Sequence, residues 1–570
     1  MSTDTTRKLC IAAAVRRALG TSAVVSMLAG LSLSGTAAAP GPRADADANA
    51  AFPPVIELAS LLPFTGGDGS AGFVVSGSSL DTDGFLSAVP AHSDFNGDGI
   101  DDLILPSGRD KFVLFGDSSG FPPFLSVDAL RPAAGGDGSR GFVIIDPSEG
   151  GNQRSVIASA GDVNADGIDD VIIGNRRGED GDIAPGVAYV LYGRSDGFPA
   201  EIDLASLSAE GGGDGSTGFE LVGVEDLAST GTAVSGVGDM NGDGIDDFVV
   251  GASDESVEGS SRGVAYVVYG RAEGFPIRFE LGTLRADNGG DGSEGLVIEG
   301  TNDLDRAGSR VGPAGDINGD GLQDLIIDIT GFLSPGPTAV VFGRRNLPAR
   351  LPLRSLNGAN GFTVREGNLI DGVTVVKGGD INGDSLDDLI VGEPFAYVGN
   401  LRRGSAYVLF GKVEPFEPAF SITFLTGERG GDGSEGYRLA GNGYNELAGS
   451  GIGAADVNGD GLQDVIVGIP RVDVRDNVDA GRVYVLYGRT ERTGPDIPLF
   501  RLLPVQGGDG SEGFSASGIA EDDETVGVGG VGDINGDGIE DFAFAATEAN
   551  RFGREDVGQV YVLFGRLPTP

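Results

Sequence analysis

Seven copies of Asp-x-Asn-x-Asp-(Gly/Ser)-x-x-Asp run through this 570-residue chain. They begin at Asp94, Asp162, Asp239, Asp316, Asp380, Asp456 and Asp533, at intervals of 68, 77, 77, 64, 76 and 77 residues. Positions one, three, five and nine of each copy offer side-chain oxygens and position seven a backbone carbonyl, the donor set of a calcium loop. The candidate ligands are Asp94, Asn96, Asp98, Ile100 and Asp102 in the first loop, and Asp162, Asn164, Asp166, Ile168 and Asp170 in the second. Asp239, Asn241, Asp243, Ile245 and Asp247 form the third set, and Asp316, Asn318, Asp320, Leu322 and Asp324 the fourth. Asp380, Asn382, Asp384, Leu386 and Asp388 form the fifth, Asp456, Asn458, Asp460, Leu462 and Asp464 the sixth, and Asp533, Asn535, Asp537, Ile539 and Asp541 the seventh. Position six, where the chain must turn sharply, is Gly in every copy except Ser385. Position twelve lacks the bidentate Glu of an EF-hand; it is Val250 in the third copy. One match would be weak, because Asp-Gly and Asn-Gly are ordinary turn dipeptides. Seven at a near-constant period define a repeat protein with structural calcium sites.

The loops are not expected to be equal. Ser385 costs loop five in geometry. Position eight is Asp at 101, 169, 246 and 387 but Gln at 323 and 463, so loops four and six are expected to attract a cation less.

Short runs rich in Val, Ile, Phe and Tyr flank every loop, and such runs bounded by Gly and Asp read as strands. One follows the loop directly, as in Asp247-Phe248-Val249-Val250-Gly251. A second ends in an aromatic residue and Gly, as in Tyr189 to Arg194, and a third opens with Gly and an apolar residue, as in Gly218-Phe219. A fourth strand is implied in the small-residue segment before each loop, such as Gly231 to Val237. Four antiparallel strands repeated seven times predict an all-β, seven-bladed β-propeller of four-stranded antiparallel blades. The chain offers a third-type run first (Gly72 to Ser76) and a second-type run last (Tyr561 to Arg566), so the N-terminal strand is expected to complete the last blade and close the ring. An open solenoid is the alternative and leaves these two ends unmatched.

The pattern seen in Val237-Gly238-Asp239 to Gly251, Gly379-Asp380 to Gly392 and Gly532-Asp533 to Ala545 resembles the FG-GAP repeat of the integrin α-subunit propeller and its bacterial secreted relatives. The resemblance covers roughly residues 55 to 566. It implies calcium-loaded blades and a ligand face formed by the strand 2–3 and strand 4–1 loops, opposite the metal loops. The 2–3 loops vary here, from the short Pro106 to Lys111 to the long Ser253 to Arg262, Pro394 to Arg403 and Arg471 to Ala480. Variable loops on a rigid scaffold are where recognition resides. They mix Arg with acids and hold few aromatics. A further motif, Gly-Gly-Asp-Gly-Ser-x-Gly, recurs at Asp68, Asp137, Asp214, Asp291, Asp432 and Asp509. It is expected to be a turn on the metal-loop face, with a second cation contact as the alternative. A basic residue after the aromatic-Gly pair, such as Arg194 or Lys412, is expected to offset acidic crowding there.

Composition sets limits. The formal charge is −46, from 39 basic and 85 acidic residues, which disfavours a nucleic-acid partner or an anionic membrane surface. Residues 1–50 combine basic Arg7, Lys8, Arg16 and Arg17 with an apolar stretch and Ala37-Ala38-Ala39, the layout of a secretory signal peptide and short linker. Residues 51–570 are then the propeller. The only cysteine, Cys10, lies in the first segment, so disulfides are excluded from the exported part. No later apolar run approaches the ~20 residues that span a bilayer. One histidine, His92, makes no catalytic set, and no phosphate-cradling Gly loop is present. The expectation is a secreted or cell-surface, non-enzymatic adhesion or binding module for a protein or glycan ligand. The competing expectation is an extracellular propeller hydrolase or lyase acting on carbohydrate or phosphoester substrates.

Overall fold

The computed structural model describes residues 52–78, 93–107, 110–145, 155–176, 185–330, 335–365, 373–492, 494–520, 523–546 and 558–568. Residues 1–50, where a signal peptide is expected, and Cys10 and His92 lie outside them. The described residues form seven large sheets, the blades of a propeller, and contain no α-helix. In blade 2 the antiparallel order is Val156–Gly161, Asp170–Asn175, Val187–Leu191 and Gly218–Val222. The expected innermost strand of blade 3 is present as Thr230–Gly238. Its small residues are required by the seam between blades. A Cβ on Gly231 would meet the Val187 carbonyl at 2.5 Å, and one on Gly236 would meet that of Ala160 at 2.5 Å.

The four-stranded expectation is incomplete. A fifth, parallel strand lies outside the fourth, donated by the strand 3–4 connection of the following blade. Arg278–Glu280 pairs parallel with Gly218–Val222, and Phe124–Ser126 with Gly72–Ser76. Each outer strand runs into a short 3-10 turn, such as Leu281–Leu284. The signal was present in the sequence as apolar-x-apolar-x-x-apolar: Ile56/Leu58/Leu61, Phe279/Leu281/Leu284 and Ile497/Leu499/Leu502 are three of its instances, all buried. Three residues are too short a run to stand out as a strand when the partner is distant in sequence.

The core lies between blades rather than within them. Seven apolar clusters among the described residues each join two neighbouring blades. The cluster with Phe73, Leu103, Phe112, Val531, Ala543 and Val562 joins blade 7 to blade 1. The FG-type aromatics stack on a ring from the donated segment. Phe73 meets Phe121 at 4.3 Å, Phe219 meets Phe275 at 4.3 Å, and Phe514 meets Phe52 at 4.5 Å.

The N-terminal residues take part twice. Val55–Glu57 is the outer strand of blade 6, and Gly72–Ser76 pairs antiparallel with Gln559–Leu563 in blade 7. Phe73 in that strand is fully buried. A chain beginning at Ser78 loses both strands, exposes two sheet edges and should aggregate or unfold without cooperativity, whereas one beginning at Ala51 should behave as the intact protein. Size-exclusion chromatography and thermal melting check this; a monomeric Ser78 variant with an unchanged melt would contradict the closure role of Gly72–Ser76.

Candidate metal centre

In blades 2 to 7 each acidic loop joins the innermost strand to the second strand, and the first loop precedes Leu103–Ser107 and is hydrogen-bonded to loops two and seven, so all seven lie on one face. The first aspartate folds the loop around itself. Asp94 Oδ1 accepts from the Gly97 and Asp98 N–H groups at 2.7 and 3.1 Å, and Oδ2 from Gly99 at 2.6 Å. Asp239 and Asp316 repeat this pattern. The fifth residue accepts from the N–H of the seventh at 2.9–3.1 Å in every copy, which holds the seventh in the loop.

The ninth aspartate is a staple. Its Oδ2 accepts from the N–H of the second loop residue and its Oδ1 from the Gly of the aromatic-Gly pair, just past the end of the adjoining third strand. For Asp247 these bonds come from Met240 at 3.0 Å and Gly270 at 3.0 Å. The same pair holds Asp102, Asp170, Asp324, Asp388, Asp464 and Asp541. The glycine is obligatory, because a Cβ on Gly270 would sit 2.3 Å from the Asp246 carbonyl. Burial, reinforced by the facing first and fifth carboxylates, pushes the ninth carboxyl up to about 8 in six loops and well above its ordinary value at Asp464.

Among the described residues, no three acidic, histidine or cysteine side chains close on one point as a ready-made metal cage. The donor chemistry of each loop still fits a hard cation: three mutually repelling carboxylates, an Asn amide oxygen and a backbone carbonyl, with no nitrogen or sulfur ligand. The Asn side chain is oriented by its neighbours; Asn241 Oδ1 accepts from Asp243 N–H at 2.8 Å, and its Nδ2 donates to Asp243 at 2.9 Å.

Position eight acts on the neighbouring loop instead of its own. Asp169 Oδ2 accepts from Asp94 N–H at 3.2 Å, Asp246 from Asp162 at 3.1 Å, Asp387 from Asp316 at 2.7 Å, Glu540 from Asp456 at 2.8 Å and Asp101 from Asp533 at 2.8 Å. Gln323 and Gln463 meet their neighbours through the backbone, donating to the Asp239 and Asp380 carbonyls at 3.0 and 2.9 Å. The missing charge therefore falls on loops three and five, not four and six. A second clasp links the same pairs: the residue after the aromatic-Gly pair donates its N–H to the second loop residue of the preceding blade. Arg194 reaches Phe95 at 3.0 Å, Lys412 reaches Ile317 at 2.9 Å, and Asp117 reaches Ile534 at 2.9 Å across the closure.

The basic side chains that follow the aromatic-Gly pair do more than balance charge. Arg271 lies 4.5 Å from the Phe275 ring and Lys412 4.8 Å from Phe416. The Gly-Gly-Asp-Gly-Ser motif is a turn: Asp214 Oδ1 accepts from Ser216 N–H at 3.0 Å and Oγ–H at 2.6 Å, and the other five copies match. Asn357 serves repeat five by accepting from Ala359 N–H at 3.0 Å.

The FG-GAP repeat pattern matches residues 230–268, 372–409, 448–486 and 526–563, the first three strands of blades 3, 5, 6 and 7. The chain contains four FG-GAP repeats. This FG-GAP propeller is 25% identical to integrin alpha pat-2 of Caenorhabditis elegans over 277 residues, 47% of this chain and 19% of that protein. It is 32% identical to integrin alpha-3 of Cricetulus griseus over 142 residues, 25% of this chain and 12% of that one. Phosphatidylinositol-glycan-specific phospholipase D of Bos taurus is 30% identical over 173 residues, 29% of this chain and 19% of the enzyme. The matches thus span a fifth or less of these relatives. No helix among the described residues is long and apolar enough to cross a membrane.

On the opposite face the described 2–3 loops of the FG-GAP propeller carry small hairpins, Ser256–Val257 with Ser260–Ser261 in blade 3 and Tyr397–Val398 with Leu401–Arg402 in blade 5. Glu255 anchors the first. It is fully buried, accepts the Tyr266 O–H at 2.5 Å and pairs with Arg285 at 3.2 Å. Burial pushes its carboxyl from 4.5 up to about 7, against the lowering by Tyr266 and Arg285. A folded-state value above the unfolded one gives stability that is present below 4.5 and lost as pH rises through about 7. Glu255→Gln should therefore flatten the fall in melting temperature between those two values, and an unchanged profile would refute the assignment.

Two loops hold a side chain where the others have Gly. Ser385 has φ 69°, and Ala165, at position four, has φ 60°. Ser385→Gly and Ala165→Gly should each stabilise the protein by about 0.5–1 kcal/mol by relieving left-handed strain, read as a higher unfolding midpoint.

Proposed function

We propose that this FG-GAP propeller is a calcium-loaded extracellular binding or adhesion module, without catalytic activity of its own, that receives a protein or glycan ligand on the face opposite its metal loops. One observation carries the reading. A single oxygen-donor set is repeated in register in all seven blades on one face, while the loops of the other face differ from blade to blade. Calcium there would neutralise three facing carboxylates per loop and make a rigid plate of one side of the ring. The hairpins and 4–1 loops would then present recognition side chains from a fixed base. The integrin alpha relatives support ligand binding as the role. The phospholipase D relative is an enzyme by name, but the buried loop carboxylates here are committed to backbone N–H groups, which favours a structural use of them.

Ions that bind only the folded state stabilise it by mass action, about 2.7 kcal/mol for each site held at a hundred times its dissociation constant. Excess EGTA should lower the melting temperature by about 10 °C or more, and added calcium should restore it. An unchanged melt would sink the calcium assignment. A protein and glycan array probed with and without calcium tests the binding role, and the absence of any ligand on it would argue against that role.

A further inference from the structure

The variable face is not uniformly polar. The two most exposed tyrosines among the described residues, Tyr397 at 53% and Tyr444 at 72%, both belong to it. Tyr397 stands opposite Arg402 in the register of the blade-5 hairpin. The Arg402 carbonyl accepts from Asn445 N–H at 2.7 Å, which brings the 4–1 loop bearing Tyr444 against that hairpin. The Arg402 guanidinium lies 4.0 Å from the Phe395 ring centroid, and Leu401 is 41% exposed beside it. The loop is fixed in shape: Asn445 and Leu447 adopt φ of 62° and 63°, and Glu446 accepts from Gly443 N–H at 2.6 Å. In the other described 4–1 and 2–3 loops the large exposed side chains are aliphatic, namely Leu227, Leu304 and Val478.

We propose that this corner, formed by Tyr397, Arg402, Tyr444 and Asn445, is a subsite for a neutral glycan. The proposal rests on the reading of this face as the binding face. A hexose has an apolar C–H face and a rim of hydroxyls, and exposed tyrosine rings offer flat apolar area with a polar tip. Arg402 and Asn445 add fixed donors and acceptors beside them. Charge selects the class of ligand. A chain of net charge −46 repels polyanions, whereas adjacent Arg402 and Arg403 repel a basic partner at this corner. Size points the same way, because three exposed apolar side chains fall far short of the ~20–30 residues a side of a standard protein interface.

The test uses the full chain in calcium with cellohexaose, mannohexaose, laminarihexaose and chitohexaose, read by calorimetry. At least one should bind. Tyr397→Ala with Tyr444→Ala should weaken it tenfold or more with an unchanged melting curve, since both side chains are exposed. Replacing both by Phe should retain most of the affinity, and Leu227→Ala with Leu304→Ala should leave it intact. Failure of all four probes, or binding that survives the double Ala substitution, overturns the proposal. A protein ligand found on the array and lost with the Leu227 and Leu304 variants, with no glycan bound, would overturn the glycan assignment while leaving the binding face in place.

Discussion

The buried carboxylate at the ninth loop position is the constraint on which the rest of the ring depends. It is an ionisable group with no solvent access, and such a group is tolerated only when its oxygens are satisfied. Here two backbone N–H groups satisfy it, one from the start of its own loop and one from the end of the third strand. Removing it would orphan two buried donors at once, each worth about 1–3 kcal/mol. The staple therefore fixes where the loop sits on the sheet. It also places the eighth residue so that its side chain or backbone meets the loop of the preceding blade. A local acid–amide contact, repeated in every blade, thus becomes a belt around one face.

That belt explains the division of labour between the faces. The metal-loop face holds the repeated hydrogen bonds, the blade-to-blade clasps and most of the glycine-enforced close approaches. The opposite face bears hairpins whose sequences differ, held by particular contacts such as Glu255 with Tyr266 or Asn445 with Arg402. The apolar clusters lie between blades and take in only a few residues of these second-face loops, among them Val257, Val472 and Val474, so much of each loop can change with little effect on packing. The acidic excess has a similar split. Part of it is locked in the loops, and part is paired at the blade surfaces, as in Arg350 with Glu299 and Arg438 with Asp496.

The local chemistry was legible from residue order. Position-one and position-nine aspartates, the aromatic-Gly pair and the Gly-aromatic pair occur at fixed spacing, and each has a role that its own neighbours in sequence nearly suffice to explain. The Asx turns at Asp68 and its six counterparts follow from two or three residues alone. The strand count per blade was less legible. The outer strand is three residues long, and its partner belongs to the blade before, as with Arg278–Glu280 against Gly218–Val222.

Residue order by itself determined the repeat, the antiparallel strands, the ring they close into and the oxygen-donor set of each loop, because period-two apolar runs and turn chemistry act within a few residues. Tertiary structure alone decided three other things. It turned the eighth residue toward the loop of the preceding blade, so that Gln323 and Gln463 bear on loops three and five. It placed the cores between blades, since a twisted four-stranded sheet buries its two faces only against its neighbours. It also brought the loop bearing Tyr444 against the hairpin bearing Tyr397, 47 residues away in the chain, because the strand 2–3 and strand 4–1 loops emerge on the same face.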